Sequence, residues 1–191
     1  MSKKIDIVSL YLSNYKSKYN GREIARLSSI NHQTALNHLN DLIKTKIMIF
    51  NNNGKNKDYH LDLSNLKTNL LIEMAECYRS ICSFDNKELS VIIKEILPFT
   101  DSLILFGSFA SGSYNKDSDI DIICVGKSDK SAINKIKRRY SREINLEFVS
   151  YNEFKKSLDS KNALSVEILK NHIFYGDVSR LVSILINWYT R

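Results

Sequence analysis

The sequence predicts an α+β chain: a helical N-terminal third closed by a hairpin, one connecting helix, and a C-terminal half built on a small sheet flanked by helices. Three observations carry that prediction. Apolar residues recur at helical spacing over residues 5–43, and two short β-rich runs then flank a polar tip containing Gly54. Residues 64–84 carry apolar side chains on two sides of what reads as one helix. The apolar run Leu103–Phe106 ends in Gly107-Ser108, and a second apolar run is entered through Asp119 and Asp121. The expected parts are therefore 1–63, 64–84 and 85–191, and the 43% hydrophobic composition supports a real core.

Taken in order, Ile5, Ile7, Val8, Leu10, Tyr11 and Leu12 open a helix expected to reach about Tyr19, where Asn20-Gly21 ends it. Arg22–Leu27 is a short second helix with Ile24, Ala25 and Leu27 inward. Ser28-Ser29-Ile30 makes a tight turn, and Asn31 caps a third helix from His32 to about Lys44. Ala35, Leu39, Leu42 and Ile43 form its buried stripe, which leaves Gln33, Thr34 and Asn37 outward near its start. Ile47–Phe50 and Tyr59–Leu61 are then two strands about the tip Asn51–Lys57.

The connecting segment has one stripe of Leu66, Leu70, Met74, Tyr78 and Ile81, and a second of Leu71, Ala75 and Cys82. A helix apolar on two sides either packs between domains or forms a subunit contact, so a homodimer built here is one expectation. Asp85 is placed to cap a helix with Leu89, Ile92, Ile93, Ile96 and Leu97 inward, and Pro98 stops it. After the second strand, Gly126–Asp129 turns into a helix from about Ser131, buried through Ile133, Ile136 and Tyr140. Its other side is basic (Lys135, Lys137, Arg138, Arg139, Arg142), either a solvated face or a contact for an acceptor. Ile144–Ser150 is a third strand, with Asn145, Glu147 and Val149 on one face. Leu164, Ile168 and Leu169 mark a helix closed near Tyr175-Gly176, and Asp177 caps the last helix. Trp188 and its neighbours, with His172, read as core.

The chemistry sits between the first two strands of the C-terminal half. Gly107 permits a sharp turn, and free backbone N–H groups there, beside the Ser108 hydroxyl, suit a phosphate. Side chains alternate along a strand, so Asp119 and Asp121 share one face while Ile120 and Ile122 take the other. Paired carboxylates repel, and a bound divalent cation relieves the repulsion. A phosphate cradle followed by a cation-binding pair describes a nucleoside triphosphate site. A lone Glu147 in an apolar strand either meets a partner or lies on an edge strand in solvent.

Gly107-Ser108, ten residues, then Asp119-Ile120-Asp121 resembles the nucleotidyltransferase motif of the DNA polymerase beta superfamily, and most of all its minimal nucleotidyltransferases. The resemblance implies a small mixed sheet flanked by helices. It implies a third carboxylate from a later strand, matched to Glu147, so Asp119, Asp121 and Glu147 become both the catalytic and the metal-binding candidates. Gly107 and Ser108 become the nucleotide-binding ones. It further implies two Mg2+ ions (Mn2+ as a substitute), ATP as the expected donor, and transfer of a nucleoside monophosphate to a protein or RNA hydroxyl with release of pyrophosphate. Minimal members often act as antitoxins that modify a HEPN-type toxin, which makes such a protein one candidate acceptor. The rival reading is a transcriptional regulator whose transferase fold senses a nucleotide without turnover.

The first third resembles a winged helix-turn-helix domain through its three helices, tight second turn and hairpin. A separate physical argument points to DNA: Gln33, Thr34 and Asn37 on the outward N-terminal turn of the third helix can reach base edges in a major groove, and Lys55 and Lys57 on the hairpin can meet phosphate. Ten Lys and Arg against five Asp and Glu over residues 1–63 place about +5 of the net +7 charge there. A protein-docking or dimerisation module is the alternative. No apolar run reaches the length of a membrane span and the start reads as no signal segment, so a cytoplasmic protein is expected. Cys77, Cys82 and Cys124 are odd in number and in apolar contexts, which reads as buried free thiols. The four histidines show no zinc spacing.

Overall fold

A computed structural model describes residues 3–160 and 162–191, which divide into two compact units, residues 3–76 with 185–191 and residues 77–160 with 162–184. The division falls inside two helices, α4 (Leu66–Ser83) and α10 (Val178–Tyr189).

In the first unit, α1 is Lys3–Ser9, shorter than the expected run to Tyr19. Ser9 Oγ donates back to the Ile5 carbonyl at 2.9 Å, and the next amides bond three residues back, Tyr11 to Val8 at 3.0 Å and Asn14 to Tyr11 at 3.0 Å. Such back-bonding and tight turns end an α-helix. Tyr19–Asn20 instead form strand β1, opposite Tyr59 and Asp58. Asn20 begins the next helix rather than ending the first. Its side chain accepts from the amides of Arg22 and Glu23 while Glu23 takes the Asn20 amide, a reciprocal cap.

Helix α2 (Gly21–Leu27) and helix α3 (His32–Lys44) are joined by a turn in which Ser29 has φ +52°. Ile30 bonds back to Ala25 at 3.0 Å and Ser29 to Arg26 at 3.3 Å, which satisfies the last carbonyls of α2. Asn31 caps α3 as expected, and Ala35, Leu39 and Leu42 are buried. Strands β2 (Met48–Asn53) and β3 (Asn56–Leu61) are longer than expected. The polar tip is itself paired, Asn51 with Asp58 and Asn52 with Lys57, leaving only Gly54 and Lys55 in the turn. The first glycine of a two-residue hairpin loop takes positive φ, here +58°. The sheet order is β1-β3-β2.

Helix α4 leaves most of its first apolar stripe exposed and buries Ala75 of the second. Thr68, Ile72, Ala75 and Glu76 are buried, whereas Leu66, Leu70 and Met74 are 70%, 54% and 55% exposed. Polar anchors turn the helix this way. Thr68 donates to the Ile47 carbonyl at 3.1 Å, and the Tyr15 hydroxyl reaches Glu76 at 3.2 Å.

In the second unit, Asn86 rather than Asp85 caps α5 (Lys87–Ile96), and a single 3-10 turn, Leu97–Phe99, carries Pro98. The following elements are β4 (Thr100–Phe106), α6 (Gly107–Ser111), β5 (Ile120–Ser128), α7 (Lys130–Lys137), β6 (Ile144–Val149), α8 (Tyr151–Ser160), α9 (Ala163–Lys170) and β7 (Ile173–Gly176). They form a mixed sheet of order β6-β5-β4-β7, with β5 and β6 parallel and the other pairs antiparallel. Alternation along the strands splits the sheet into two faces. Leu103, Leu105, Ile120, Ile122 and Cys124 pack with Ile92, Ile93 and Ile96 of α5 and Ile133 and Ile136 of α7. Helix α8 lies against β5 and β6, and α9 lies against β4.

Strand β7 stands where the sequence pattern predicts a helix end. Ile173, Phe174 and Tyr175 are all buried, as in a strand covered on both faces, and β7 pairs with β4. Gly176 has φ +82°, and a Cβ there would strike the Asp101 carbonyl oxygen. The glycine thus closes a strand, not a helix. His172 is packed, as expected, 1% exposed with Nδ1 2.7 Å from the Ile168 carbonyl. The expectation of three buried thiols holds for Cys124 alone; Cys77 is half-buried and Cys82 exposed. Among the described residues no helix is long and apolar enough to cross a membrane.

Candidate functional site

The sheet register assembles the site. Phe106, the last residue of β4, pairs with Asp121 near the start of β5, so the chain leaving Phe106 turns beside that carboxylate. The turn needs Gly107. Its φ is +67°, and a Cβ there would lie 2.5 Å from Asp121 Oδ2. Gly107 and Ser108 open the five-residue helix α6, closed by Gly112 at φ +74°. Both are half-buried beside Asp121, while Asp119 is exposed at the entry to β5. The structure thus brings Gly107, Ser108, Asp119 and Asp121 to one corner of the sheet.

Glu147 is not brought to that corner. On β6 the residue opposite Asp121 is Asn145, whose Nδ2 donates to Asp121 Oδ1 at 2.9 Å. Glu147 pairs with Ile123, one step further along the same face, on an edge strand and exposed. A two-residue step along a strand is about 7 Å. Among the described residues no three His, Cys, Asp or Glu side chains are grouped to hold a metal. The trio Asp119, Asp121 and Glu147 expected from the sequence is therefore a pair of acids with an amide at the third corner.

Two residues of the site went unread in the sequence. In the sequence Asn145 is only a face-mate of Glu147, and alternation gives no signal for which of the two falls opposite Asp121. Arg142 was placed on a basic outer face, yet its side chain is 17% exposed. Its Nε donates to both carboxylate oxygens of Glu88 at 3.0 Å, and its Nη1 to the Ser118 carbonyl at 2.5 Å and the Asn115 carbonyl at 3.5 Å. It thereby holds the loop that delivers Asp119. Within that loop Ser118 Oγ accepts from the Asn115 amide at 2.9 Å, and Asn115 accepts from the Asp117 amide at 2.8 Å. Phe109 stacks on Tyr114, rings 4.4 Å apart, and shapes its first half. Arg139 is likewise tied to Glu95 at 2.7 Å, so part of the basic run joins the turn after α7 to α5 rather than facing an acceptor.

The residues proposed for DNA lie in the first unit. Gln33 and Asn37 are exposed on α3 and bonded to each other at 3.2 Å, and Thr34 gives its amide to Asn31. Lys55 and Lys57 are exposed on the hairpin, and Lys57 Nζ lies 4.2 Å over the Phe50 ring.

A family model described as "Nucleotidyltransferase domain" matches residues 87–181, a span that contains β4, β5, β6 and the whole corner. A curated protein of Methanocaldococcus jannaschii named "Putative protein adenylyltransferase MJ0141" is 35% identical over 86 residues, 42% of this chain and 83% of that protein. A solved structure described as that of TrmBL2, an archaeal chromatin protein showing a novel mode of DNA binding, aligns with 100% of this chain and 91% of its own at 10% identity and a TM-score of 0.28.

Proposed function

The chain belongs to the nucleotidyltransferase family, and from that membership we propose that it moves a nucleoside monophosphate from a nucleoside triphosphate, ATP above others, to a hydroxyl of an acceptor. One observation carries the reading: the Gly107 turn lies against Asp121 so closely that no side chain fits between them. A loop held open for backbone approach beside a carboxylate is what a triphosphate with its cation requires.

In this reading the half-buried Gly107 and Ser108 bind the β- and γ-phosphates through backbone N–H and hydroxyl. A divalent cation, Mg2+ or Mn2+, fits the donors present, since magnesium takes one or two carboxylates and completes its shell with phosphate oxygens. Asp119 and Asp121 would hold it. When bound, it supplies neutralisation of the triphosphate and stabilisation of the departing pyrophosphate. The second ion implied by the resemblance calls for a third acid, and the residue opposite Asp121 is the neutral Asn145. The acceptor oxygen bonds the α-phosphorus as the bond to the β-phosphate breaks, and pyrophosphate leaves. Asp119 is the exposed member of the pair, and we assign it the acceptor's proton. The name of the archaeal relative favours a protein hydroxyl as acceptor.

We assign residues 1–63 to a winged helix-turn-helix that binds DNA. The α2–turn–α3 pair, the β2–β3 hairpin and the exposed Gln33, Asn37, Lys55 and Lys57 support this. The exposed Leu66, Leu70 and Met74 on α4 support a homodimer.

The experiment is incubation with [α-32P]ATP, Mg2+ and candidate acceptor proteins or RNA, comparing wild type with Asp121→Ala. Label should pass to the acceptor with wild type and fail to pass with the variant. Equal labelling by both would overturn the assignment. The sensor reading has a specific observation in its favour, the neutral Asn145 opposite Asp121. Tight ATP binding with nucleotide unaltered under every condition would establish it instead.

A further inference from the structure

Asn145 sits at the one position of β6 that faces Asp121 directly, and its amide is committed there. An ionised carboxylate only accepts hydrogen bonds, so the amide must turn its NH2 to Asp121 and its carbonyl away. The bond engages Oδ1, while Oδ2 lies on the Gly107 side, within 2.5 Å of where a Cβ would be. Asp121 is thus held by Asn145 through one oxygen and turns the other towards the Gly107 backbone. The charge at the corner is that of two acids: Glu147 lies opposite Ile123, and among the described residues no three His, Cys, Asp or Glu side chains are grouped to hold a metal. Cation affinity rises with the number of charged ligands, so two carboxylates with an amide make a weak site for a free divalent ion.

We propose that Asn145 is a positioning residue that aims Asp121 and, being neutral, leaves the corner only weakly able to hold a divalent cation until a nucleoside triphosphate brings the missing anionic oxygens, so that cation and nucleotide enter as one complex. This rests on the reading of the corner as a triphosphate site. A different side chain follows from a different function: an acid here would load metal in advance, whereas an amide makes metal loading conditional on nucleotide.

The test titrates Mn2+ into the full chain, following free Mn2+ by electron paramagnetic resonance, alone and with the α,β-methylene analogue of ATP. Wild type should bind Mn2+ at least about tenfold more tightly with the analogue present. Asn145→Asp should tighten binding of Mn2+ alone by about tenfold or more, since it adds a third charged ligand. In the same variant the thermal midpoint should fall without Mn2+, where like charges face each other, and recover with it. Asn145→Ala adds no charge, so Mn2+ alone should stay weak while the Mn2+–analogue complex loosens. Wild type binding Mn2+ alone as tightly as with the analogue, or Asn145→Asp titrating like wild type, would overturn the charge argument. Asn145→Ala holding the complex as well as wild type would overturn the positioning role. Calorimetry that finds no analogue bound by wild type, with or without Mn2+, would sink the triphosphate reading itself and this proposal with it.

Discussion

Gly107 and Asp121 face each other so closely that a methyl group on the glycine would lie 2.5 Å from the aspartate Oδ2. The pairing of Phe106 with Asp121 enforces the approach, because the strand cannot slip without moving both partners. Gly107→Ala must also hold φ near +67°, a left-handed conformation that costs an L-residue about 1–2 kcal/mol. We expect the variant to lose about 1–2 kcal/mol of stability by urea unfolding. Transfer should fall further, by about a hundredfold, because displacement of reacting groups by about 1 Å costs that much. A Gly107→Ala protein with wild-type turnover would show that Asp121 is not part of the chemistry.

Arg142 makes a second prediction, one about the loop rather than the acids. Its guanidinium spans Glu88 on α5 and the carbonyls of Asn115 and Ser118. Lysine lacks the planar fork needed to serve both partners. Arg142→Lys and Arg142→Ala should therefore both free residues 115–118 and weaken the hold on Asp119. Hydrogen exchange at the Ser118 and Asp119 amides should quicken in both, and labelling of the acceptor should drop by about tenfold or more. Exchange unchanged in Arg142→Ala would mean the loop is held by its own turns.

The corner was legible because its signals are local. Gly107-Ser108 and the Asp119-Ile120-Asp121 alternation need only a strand, a turn and a strand to be read, and the register then brings them together. The third corner was not legible because it depends on which residue of β6 falls opposite Asp121. Asn145 and Glu147 share a face by alternation, and only the parallel register distinguishes them. The carboxylate drew the assignment although the amide holds the position. Which stripe of α4 packs is not legible for a different reason: Thr68, Glu76 and their partners, which carry no apolar pattern, fix the rotation of the helix. Strand β7 failed on length, since four residues ending in glycine match a helix terminus as well as a strand.

The thiols and phenols predict an alkaline limit to stability. Burial pushes the Cys124 thiol from 9.0 up to about 12. Burial also pushes the Tyr175 phenol from 10.0 up to about 12, against a smaller opposing effect of the Ser83 hydroxyl. Each folded pKa lies above its unfolded value, so the stabilisation is complete below about pH 9 and is lost as pH rises towards about 12. The thermal midpoint should hold level from pH 7 to 9 and decline steadily above it. At pH 8 a thiol reagent should modify the exposed Cys82 first, Cys77 slowly, and Cys124 only on unfolding. Rapid modification of all three in the folded protein would contradict the burial of β5.

Leu66, Leu70 and Met74 recur every four residues on α4 and are each more than half exposed. A stripe of this kind gains by pairing with a second copy, each covered side chain contributing about 1.5–3 kcal/mol at full burial. Light scattering should give twice the 22.1 kDa chain mass at micromolar concentration, and Leu70→Glu with Met74→Glu should return the monomer. A monomer for wild type at every concentration would remove the dimer.

Lys55 and Lys57 supply the last prediction, which separates DNA contact from protein docking. Lys57 Nζ rests over the Phe50 ring, which fixes the ammonium on the hairpin face instead of leaving it to swing freely. Lys55 occupies the turn beside Gly54, the furthest point of the hairpin along the chain. If these two meet phosphates, each releases a condensed counterion, and the slope of log affinity against log salt should shrink by about one per lysine removed. A gel-shift series at several salt concentrations on wild type, Lys55→Ala and Lys57→Ala reads that slope. Gln33→Ala should act differently, lowering preference among sequences while leaving the slope alone, since a base contact carries no counterion. Binding that ignores salt, or lysine variants with the wild-type slope, would turn the first unit into a protein-docking module.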